Sequence, residues 1–131
     1  MSVYNSITET IGDTPIIRLN RMVPPGAHIY VKSERCNPGG SIKDRPALSM
    51  IDDAVARGLL KEGGTIVEPT SGNMGISLAM IAAARGYHAV IVMPDSMTRE
   101  RISLMKAYGA EIVLSPGANG MQGAVELAES I

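Results

Sequence analysis

From Gly40 onward the sequence alternates between helical and strand-like patterns, and this alternation is the strongest constraint on its fold. Three short runs rich in apolar and β-branched residues, at 65–68, 88–93 and 111–114, are separated by segments with helical spacing. Strands joined through helices pair in parallel, because each connection must cross over the sheet, and such crossovers are right-handed. The sequence therefore predicts an α/β fold in which helices flank a small parallel sheet.

Four helices are predicted around these strands, and glycines mark where three of them end. Glycine ends helices readily because it adopts the left-handed conformation without steric cost. At the start of the third helix, Asp95 or Ser96 is the expected N-cap. The predicted spans are 41–57, 73–85, 95 or 96 to 108, and 120–130, and the terminating glycines are Gly58, Gly86 and Gly109.

The first forty residues do not follow this alternation. Residues 15–20 and 27–32 are strand-like and are joined by the turn-rich segment 22–26. They predict an N-terminal β arm, residues 1–36, which stands outside a small α/β domain formed by residues 37–131.

The composition is that of a globular protein, and it argues against several kinds of binding site. Of the 131 residues, 45% are hydrophobic and 19% are charged, and 12 basic against 13 acidic residues leave no basic surface for nucleic acid. The single cysteine, Cys36, and two widely separated histidines do not have the spacing of a metal site. No secretory signal or apolar run of membrane-spanning length is found, so we expect a cytoplasmic protein without a metal.

The first candidate site is the segment 37–45, NPGGSIKDR, in which two glycines precede a predicted helix. Ser41 is positioned to cap that helix, and Lys43 then lies in its first turn. The positive end of a helix dipole disfavours the charged form of a nearby amine. A lysine kept partly neutral is what imine formation with an aldehyde requires. The alternative is a solvated lysine at the start of a helix.

The second candidate is the segment 68–75, EPTSGNMG, which runs from the carboxyl end of the first strand of the sheet into a helix. Ligands bind at this position in open α/β sheets, and the unpaired N–H groups of a helix N-terminus favour an anion. Thr70, Ser71 and Asn73 add short polar side chains at the same point. The alternative is a well-capped turn without a ligand.

Four stretches of the sequence carry a resemblance to a known family. They are ITETIGDTPIIRLNR, NPGGSIKDRPALSMI, EPTSGNMGISLAM and MPDSMTRERISLMKAYGAEIVL. They closely resemble cysteine synthase, also called O-acetylserine sulfhydrylase, of the β-family (fold type II) of pyridoxal phosphate enzymes. The resemblance covers essentially all of the chain and matches the N-terminal part of that family. It implies a tryptophan synthase β-like fold and pyridoxal 5'-phosphate as the cofactor.

The resemblance also implies a role for each matching residue. Lys43 matches the lysine that binds the cofactor as a Schiff base and then removes the α-proton of the substrate. Asn73 matches the asparagine that hydrogen-bonds to the ring oxygen of the cofactor. The loop that receives the substrate α-carboxylate matches Thr70, Ser71, Gly72, Asn73 and Met74.

The implied reaction is a β-replacement, in which acetate leaves O-acetylserine and sulfide adds to give cysteine. The family further implies a homodimer, and a partner whose peptide binds in the active-site cleft, the C-terminal tail of serine acetyltransferase. Two alternatives stay open. One is a truncated or degenerate member that binds carboxylates or a partner without catalysis, and the other is an enzyme like cystathionine β-synthase, which shares the two motifs.

The chain departs from the family pattern at three points. Met74 replaces the usual threonine, and a thioether cannot donate the hydrogen bond that a hydroxyl gives to a carboxylate. Pro46 falls in a helix and is tolerated only in its first turn, so we expect that helix to begin late or to bend. Family members are also substantially longer than this chain.

In the family, the remaining part holds the glycine-rich loop for the cofactor phosphate and the hydroxyl that partners the pyridine nitrogen. It also holds most of a second domain, into which the β arm packs. We therefore expect the 131-residue chain alone to be a poor enzyme. We also expect apolar residues of its arm, such as Ile16 and Ile17, to be exposed.

Overall fold

A computed structural model describes residues 2–131 of the chain. These residues form two sheets and four α-helices, with one short 3-10 helix before the first strand and two in the connections. In chain order the elements are β1 (Ile16–Arg18), β2 (Tyr30–Lys32), α1 (Asp44–Ala56), β3 (Thr65–Pro69), α2 (Asn73–Arg85), β4 (His88–Pro94), α3 (Arg99–Ala107), β5 (Glu111–Ser115) and α4 (Gly120–Glu129).

The larger sheet is parallel, as the alternation predicts. Its strand order is β3–β4–β5, so the order in space follows the order in the sequence. Thr65 pairs with His88 at the start of β4, and Val90 pairs with Glu111 at the start of β5. All three strands point the same way, and their carboxyl ends meet at one edge. The predicted α/β fold with a small parallel sheet is confirmed.

Strand β4 is the centre of the core because it is covered on both faces. Ile91 and Met93 are fully buried in a cluster formed with α1, α2 and α3. Val92 is equally buried, and alternation along the strand turns its side chain to the opposite face, while α4 packs across β3 and β4. This double coverage accounts for the almost wholly apolar sequence of β4.

Three helices end where their glycines predict. Gly58, Gly86 and Gly109 follow α1, α2 and α3 with φ values of 69°, 74° and 85°. Residues with a side chain rarely adopt these left-handed conformations, whereas glycine does so without steric cost. The three turns direct the chain from each helix toward the next strand.

The start of the first helix differs from the prediction. It begins at Asp44 rather than at residue 41, so Lys43 is its N-cap and not part of its first turn. Ser41 accepts the backbone N–H of Lys43 in the preceding turn instead of capping the helix. Pro46 consequently lies in the first turn of α1, where its missing N–H leaves no gap in the helical hydrogen bonding.

The third helix also begins later than predicted. It starts at Arg99, with Thr98 as its N-cap, so the expected cap at Asp95 or Ser96 is wrong. The carboxylate of Asp95 has another partner, because its Oδ1 accepts the backbone N–H of Gly117 at 3.0 Å. This bond joins two loops that are distant in sequence, and it competes with the local cap that the sequence suggests.

Strands β1 and β2 form a separate antiparallel sheet, in which Ile17 lies opposite Val31. Each strand is three residues long, which is shorter than predicted. Every residue in them is exposed, including Ile16 at 66% and Ile17 at 47%. The expected exposure of apolar residues in the arm is therefore observed. The division into an arm of residues 1–36 and a domain of residues 37–131 stays a prediction.

A hydrogen-bonded cluster around Glu34 ties the N-terminal segment to α1. Arg45 in α1 donates from Nε to Glu34 Oε2 at 2.8 Å and from Nη2 to Oε1 at 3.1 Å. Thr14 donates to Glu34 Oε1 at 2.6 Å, and Asn37 donates to Oε2 at 2.9 Å. Asn37 in turn accepts the N–H of Gly12. The bonds from Arg45, and then that from Thr14, favour the charged form and lower the pKa of Glu34 from 4.5 to about 2.

This cluster should give the N-terminal segment a specific pH dependence. Because the pKa of Glu34 is depressed in the folded chain, the stabilisation from its carboxylate is fully present above pH 4.5 and is lost as the pH falls through about 2. We expect residues 12–14 and 34–37 to exchange their amide hydrogens faster across that range. Peptide-resolved hydrogen exchange, corrected for the intrinsic effect of pH, measures this.

Glu34→Gln is the control for this prediction. The amide lacks the titrating group, so the same segments should be loosened at every pH and should lose their additional response to acid. An acid response in Glu34→Gln equal to that of the unmodified chain would contradict the assignment to Glu34.

Candidate active site

The turn between β3 and α2 lies at the carboxyl edge of the parallel sheet. Strand β3 ends at Pro69, and α2 begins at Asn73. Between them the N–H of Thr70 donates to the carbonyl of Val92 in the neighbouring strand. The structure thus places this segment where the sequence predicts it, at the position where open α/β sheets bind ligands.

Several backbone N–H groups of this turn are free to bind an anion. Those of Ser71, Gly72, Asn73 and Met74 have no acceptor within residues 2–131. The N-cap residue is Gly72, so its side chain cannot take up these donors. The 13-residue helix α2 directs the positive end of its dipole at the same point. The turn therefore offers the unsatisfied donors and the positive potential that a carboxylate needs.

The two glycines of the turn differ in what surrounds them. A side chain at Gly75 would be crowded, because an added Cβ would lie 2.9 Å from Met105 Sδ and 3.2 Å from Ile91 Cγ2. At Gly72 an added Cβ would meet no atom of the described residues within 4 Å. Gly75 is therefore needed for the close packing of α2 on β4 and α3, whereas Gly72 leaves open space beside the free N–H groups.

A buried carboxylate joins this turn to the segment that carries Lys43. Asp44 is fully buried, and its Oδ2 accepts the backbone N–H of Gly39 at 2.6 Å. Its Oδ1 accepts the hydroxyl of Ser77 at 2.5 Å, and that hydroxyl also lies 2.9 Å from the carbonyl oxygen of Asn73. These bonds hold the N-termini of α1 and α2 side by side, with Lys43 at one and Asn73 at the other.

The side chains of Lys43 and Asn73 are both available to a ligand. Both residues are exposed, and their hydrogen bonds within residues 2–131 use backbone atoms. The structure thus brings the two residues expected to bind the cofactor to adjoining helix N-termini. The specific roles of these residues, and those of Thr70, Ser71, Gly72 and Met74 toward a substrate, stay predictions.

Sequence reasoning missed the two residues that make this junction, Asp44 and Ser77. A signal for Asp44 was present, because an acidic residue after a glycine turn and at the start of a helix commonly accepts backbone N–H groups. Ser77 is the polar member of a run of buried residues in α2. A buried hydroxyl in such a run requires a hydrogen-bond partner, although the sequence does not show which one.

Met74 is less accessible to a ligand than its place in the motif suggests. Its side chain is half-buried and packs against the core. It therefore helps to attach the first turn of α2 to the rest of the domain. On another side of the turn, Arg101 of α3 donates from Nη1 to the carbonyl of Ser71 at 3.3 Å. The turn is thus held by contacts from α3 and the core.

A cleft of about 250 Å³ between α1 and β3 includes none of the predicted site residues. Its lining is mainly apolar and includes Glu68, whose burial raises the pKa of its carboxyl group. A charged amino acid needs converging donors and opposite charges, which this lining does not provide. The turn before α2 is therefore the better candidate site.

Comparison with known proteins assigns the chain to a family. The family model described as "Pyridoxal-phosphate dependent enzyme" matches residues 7–131, and the chain belongs to this family. Its fold is accordingly that of the fold type II pyridoxal phosphate enzymes, as the sequence resemblance implies. The expected cofactor, pyridoxal phosphate, is the cofactor of this family.

Within the family, the chain is similar to enzymes of the cysteine synthase kind. It is 56% identical to a probable cysteine synthase of Bacillus subtilis, over 100% of the chain and 44% of that protein. It is also 56% identical to the O-ureido-L-serine synthase of Streptomyces lavendulae, over 100% of the chain and 40% of that protein. The chain thus spans about two fifths of the length of the curated relatives it matches.

Solved structures show the same relation. A crystal structure of O-ureido-L-serine synthase matches 98% of the chain and 41% of its own, with a TM-score of 0.96 and 56% identity. The O-acetylserine dependent cystathionine β-synthase of Helicobacter pylori is 32% identical, with a TM-score of 0.89 over 99% of the chain and 44% of its own. The expected resemblance to the N-terminal part of cysteine synthases is therefore confirmed.

The described residues fit pyridoxal phosphate. Lys43 offers an exposed amine that can attach to an aldehyde, and Asn73 offers an exposed amide that can donate a hydrogen bond. The absence of a Cβ at Gly72 leaves space beside them. Lys43 and Asn73 are thus the residues of this chain that would hold the cofactor.

The described residues show neither a metal cluster nor a membrane-spanning helix. Within residues 2–131 no group of three or more His, Cys, Asp or Glu side chains could hold a metal ion. No helix in the described part of the chain is long and apolar enough to cross a membrane.

The two glycines of the turn should respond differently to substitution. Gly75→Ala should lower the free energy of unfolding by roughly 1–3 kcal/mol, because the added methyl group presses on Met105 and Ile91. Gly72→Ala should change it by no more than about 0.5 kcal/mol, but should weaken carboxylate binding by filling the open space. Urea denaturation and titration with O-acetylserine, followed by NMR of the amides of residues 71–74, measure the two effects. A larger loss of stability in Gly72→Ala would contradict this assignment.

Replacing Met74 with threonine should affect binding and stability in opposite directions. In a full-length enzyme, Met74→Thr should strengthen substrate binding, because an aligned hydroxyl donates a charge-assisted hydrogen bond worth about 1.5–3 kcal/mol to a carboxylate. Loss of the packed thioether should lower the free energy of unfolding by roughly 1–2 kcal/mol. Kinetics on O-acetylserine and urea denaturation measure these changes.

Met74→Leu is the matched control, because leucine keeps an apolar contact and provides no hydroxyl. It should leave both substrate binding and stability close to those of the unmodified protein. Equal kinetic constants for the threonine and leucine variants would show that the side chain at this position does not face the carboxylate.

Proposed function

We propose that this chain forms the lysine- and carboxylate-binding part of a cysteine synthase, which replaces the acetate of O-acetylserine with sulfide to give cysteine. The observation that carries the proposal is the junction of two helix N-termini through Asp44 and Ser77. It brings an exposed lysine beside a turn with free N–H donors. An aldehyde cofactor and an amino-acid substrate require these two features together.

Pyridoxal phosphate, when bound, supplies an electron sink that stabilises negative charge on the α-carbon of an amino acid. In this proposal Lys43 attaches the cofactor through Nζ and, once freed from it, accepts the α-proton of the substrate at the same atom. Asn73 orients the cofactor through a hydrogen bond from its side-chain amide. The N–H groups of residues 71–74 hold the α-carboxylate and so direct the α-hydrogen of the substrate toward Lys43.

The names of the relatives support the substrate class of this proposal. They include a cysteine synthase, an enzyme that makes O-ureido-L-serine and a cystathionine β-synthase that depends on O-acetylserine. Cysteine, O-ureido-L-serine and cystathionine share an unmodified amino-acid end and differ at the β-carbon. A turn that binds the α-carboxylate serves all of them, so we assign O-acetylserine as substrate and sulfide as its partner by similarity to the cysteine synthases.

The proposal places the remaining groups of the active site outside this chain. The chain spans about two fifths of its curated relatives, and the sequence resemblance assigns the loop for the cofactor phosphate and the partner of the pyridine nitrogen to the part of the family that it does not span. It also includes a homodimer and the C-terminal tail of serine acetyltransferase as a partner, which the sequence resemblance implies, and the cytoplasmic location expected from the sequence.

A carboxylate-binding module without catalysis is the second candidate function. The free N–H groups of residues 71–74 favour it, because they bind an anion without any cofactor. The two candidates differ in what they require of Lys43. Cofactor attachment at this lysine distinguishes the enzyme from the binding module.

Pyridoxal phosphate added to the chain, followed by borohydride reduction, should label Lys43. We expect a visible absorption band before reduction and a pyridoxyl adduct on the peptide that contains Lys43 after it. Lys43→Ala should abolish both signals. Lys61→Ala, which removes another exposed lysine, should retain both. Label spread evenly over the lysines would contradict the enzyme and favour the binding module.

Turnover by the 131-residue chain with added cofactor should be at least about a hundredfold below that of a full-length cysteine synthase. A cofactor ring exposed to water is in a high dielectric, which weakens each electrostatic contact that stabilises charge on the α-carbon. Cysteine formation from O-acetylserine and sulfide measures this. Turnover comparable to that of the full-length enzyme would overturn the prediction.

A further inference from the structure

We propose that Asp44 is a positioning residue for Lys43, because it holds the turn that carries the lysine against the N-terminus of α2. The inference rests on the proposed function, since it concerns the same site. Asp44 is fully buried, so it acts through the backbone and Ser77 rather than by touching a ligand. Its effect is to set where the Lys43 amine lies relative to the free N–H groups of residues 71–74.

The carboxylate of Asp44 is buried. Asp44 is the one charged residue that is buried within residues 2–131. It takes part in none of the ion pairs in this part of the chain. A buried carboxylate is unfavourable unless its oxygens are hydrogen-bonded, and both oxygens of Asp44 accept such a bond. The position of Asp44 is therefore determined by two specific partners, Gly39 and Ser77.

Hydrogen bonds hold the turn that carries Lys43 on two sides. On one side, Asp44 Oδ2 accepts the N–H of Gly39, and glycine is required there because an added Cβ would collide with the Asp44 carboxylate. On the other side, the hydroxyl oxygen of Ser41 accepts the N–H of Lys43 at 3.1 Å, and the carbonyl oxygen of Ser41 accepts the N–H of Asp44. The Asp44 carboxylate thus joins the two ends of the segment 39–44 and fixes its conformation.

Ser77 connects Asp44 to α2. The Ser77 hydroxyl has one proton and lies within hydrogen-bond distance of two acceptors, Asp44 Oδ1 and the carbonyl oxygen of Asn73. Movement of Asp44 therefore changes a bond to the first turn of α2. This couples the position of the lysine to the position of the turn that is proposed to bind the substrate carboxylate.

The structure provides a matched control for this role. Asp52 lies further along α1, and its Oδ1 accepts a hydrogen bond from Arg85 of α2 at 2.5 Å. This ion pair also links the two helices, but it lies at their opposite ends and Asp52 is exposed. A variant at Asp52 therefore loosens the contact between the helices without altering the Lys43 turn.

The test compares Asp44→Ala, Asp44→Asn, Ser77→Ala and Asp52→Ala with the unmodified chain. The affinity for pyridoxal phosphate is taken from the visible band, with the site of attachment confirmed by borohydride reduction and peptide mass spectrometry. Hydrogen exchange of residues 37–45 and 71–80, measured without cofactor, provides a second readout. Melting temperature reports the general loss of stability.

We expect Asp44→Ala and Ser77→Ala to weaken the affinity of Lys43 for the cofactor by about tenfold or more and to speed exchange in both segments. Asp44→Asn should stay within about threefold, because its amide oxygen can accept from Gly39 and its amide nitrogen can donate to Ser77. Asp52→Ala should also stay within about threefold, even where it lowers the melting temperature.

Three results would overturn the proposal. These are unchanged affinity in both Asp44→Ala and Ser77→Ala, a loss in Asp52→Ala equal to that in Asp44→Ala, or no recovery in Asp44→Asn. If Asp44→Ala does not fold, Ser77→Ala is judged by the same criteria. If the unmodified chain is not labelled at Lys43, the proposed function fails. The positioning role is then judged by hydrogen exchange alone, and unchanged exchange in both Asp44→Ala and Ser77→Ala overturns it.

Discussion

Burial of strand β4 on both of its faces is the constraint on which the rest of the structure depends. Ile91 and Met93 fill one face, and Val92 lies on the other, where α4 packs. Because β3 and β5 pair with β4 in parallel, all three strands end at the same edge. The loops that follow them therefore meet there, as the bond between Asp95 and Gly117 shows. Strand direction thus determines where a ligand site can form before any polar side chain is considered.

At that edge, local electrostatics matter more than net charge. The 12 basic and 13 acidic residues of the chain nearly cancel, yet residues 71–74 present free N–H groups at the positive end of α2. Lys43 adds an amine at the adjoining N-terminus of α1. The carboxylate of Asp44 lies between α1 and α2, where it accepts hydrogen bonds from the N–H of Gly39 and the hydroxyl of Ser77. The buried carboxylate therefore organises the site while the exposed groups remain available to a ligand.

The relatives of this chain make different products, and this bears on what the region contributes. The chain is 56% identical both to a probable cysteine synthase and to an O-ureido-L-serine synthase. Equal similarity to enzymes with different products indicates that the region carries what they share, which we propose is lysine attachment and carboxylate binding. Met74 departs from the threonine expected in this turn, and its half-buried side chain packs on the core.

By itself the sequence determined the order of the elements, the parallel sheet, the glycines that end the helices and the place of the turn before α2. These features follow from local periodicity and from the freedom of glycine at positive φ, so neighbouring residues are enough to predict them. The starts of α1 and α3 were predicted too early, because Ser41 bonds to the N–H of Lys43 in the preceding turn and Asp95 bonds to the N–H of Gly117 instead of capping a helix. Only the tertiary structure decided that Asp44 meets Ser77, which is 33 residues away, and that Gly75 must lie against Met105. Contacts of this kind depend on how whole helices pack, and no local pattern in the sequence encodes that distance.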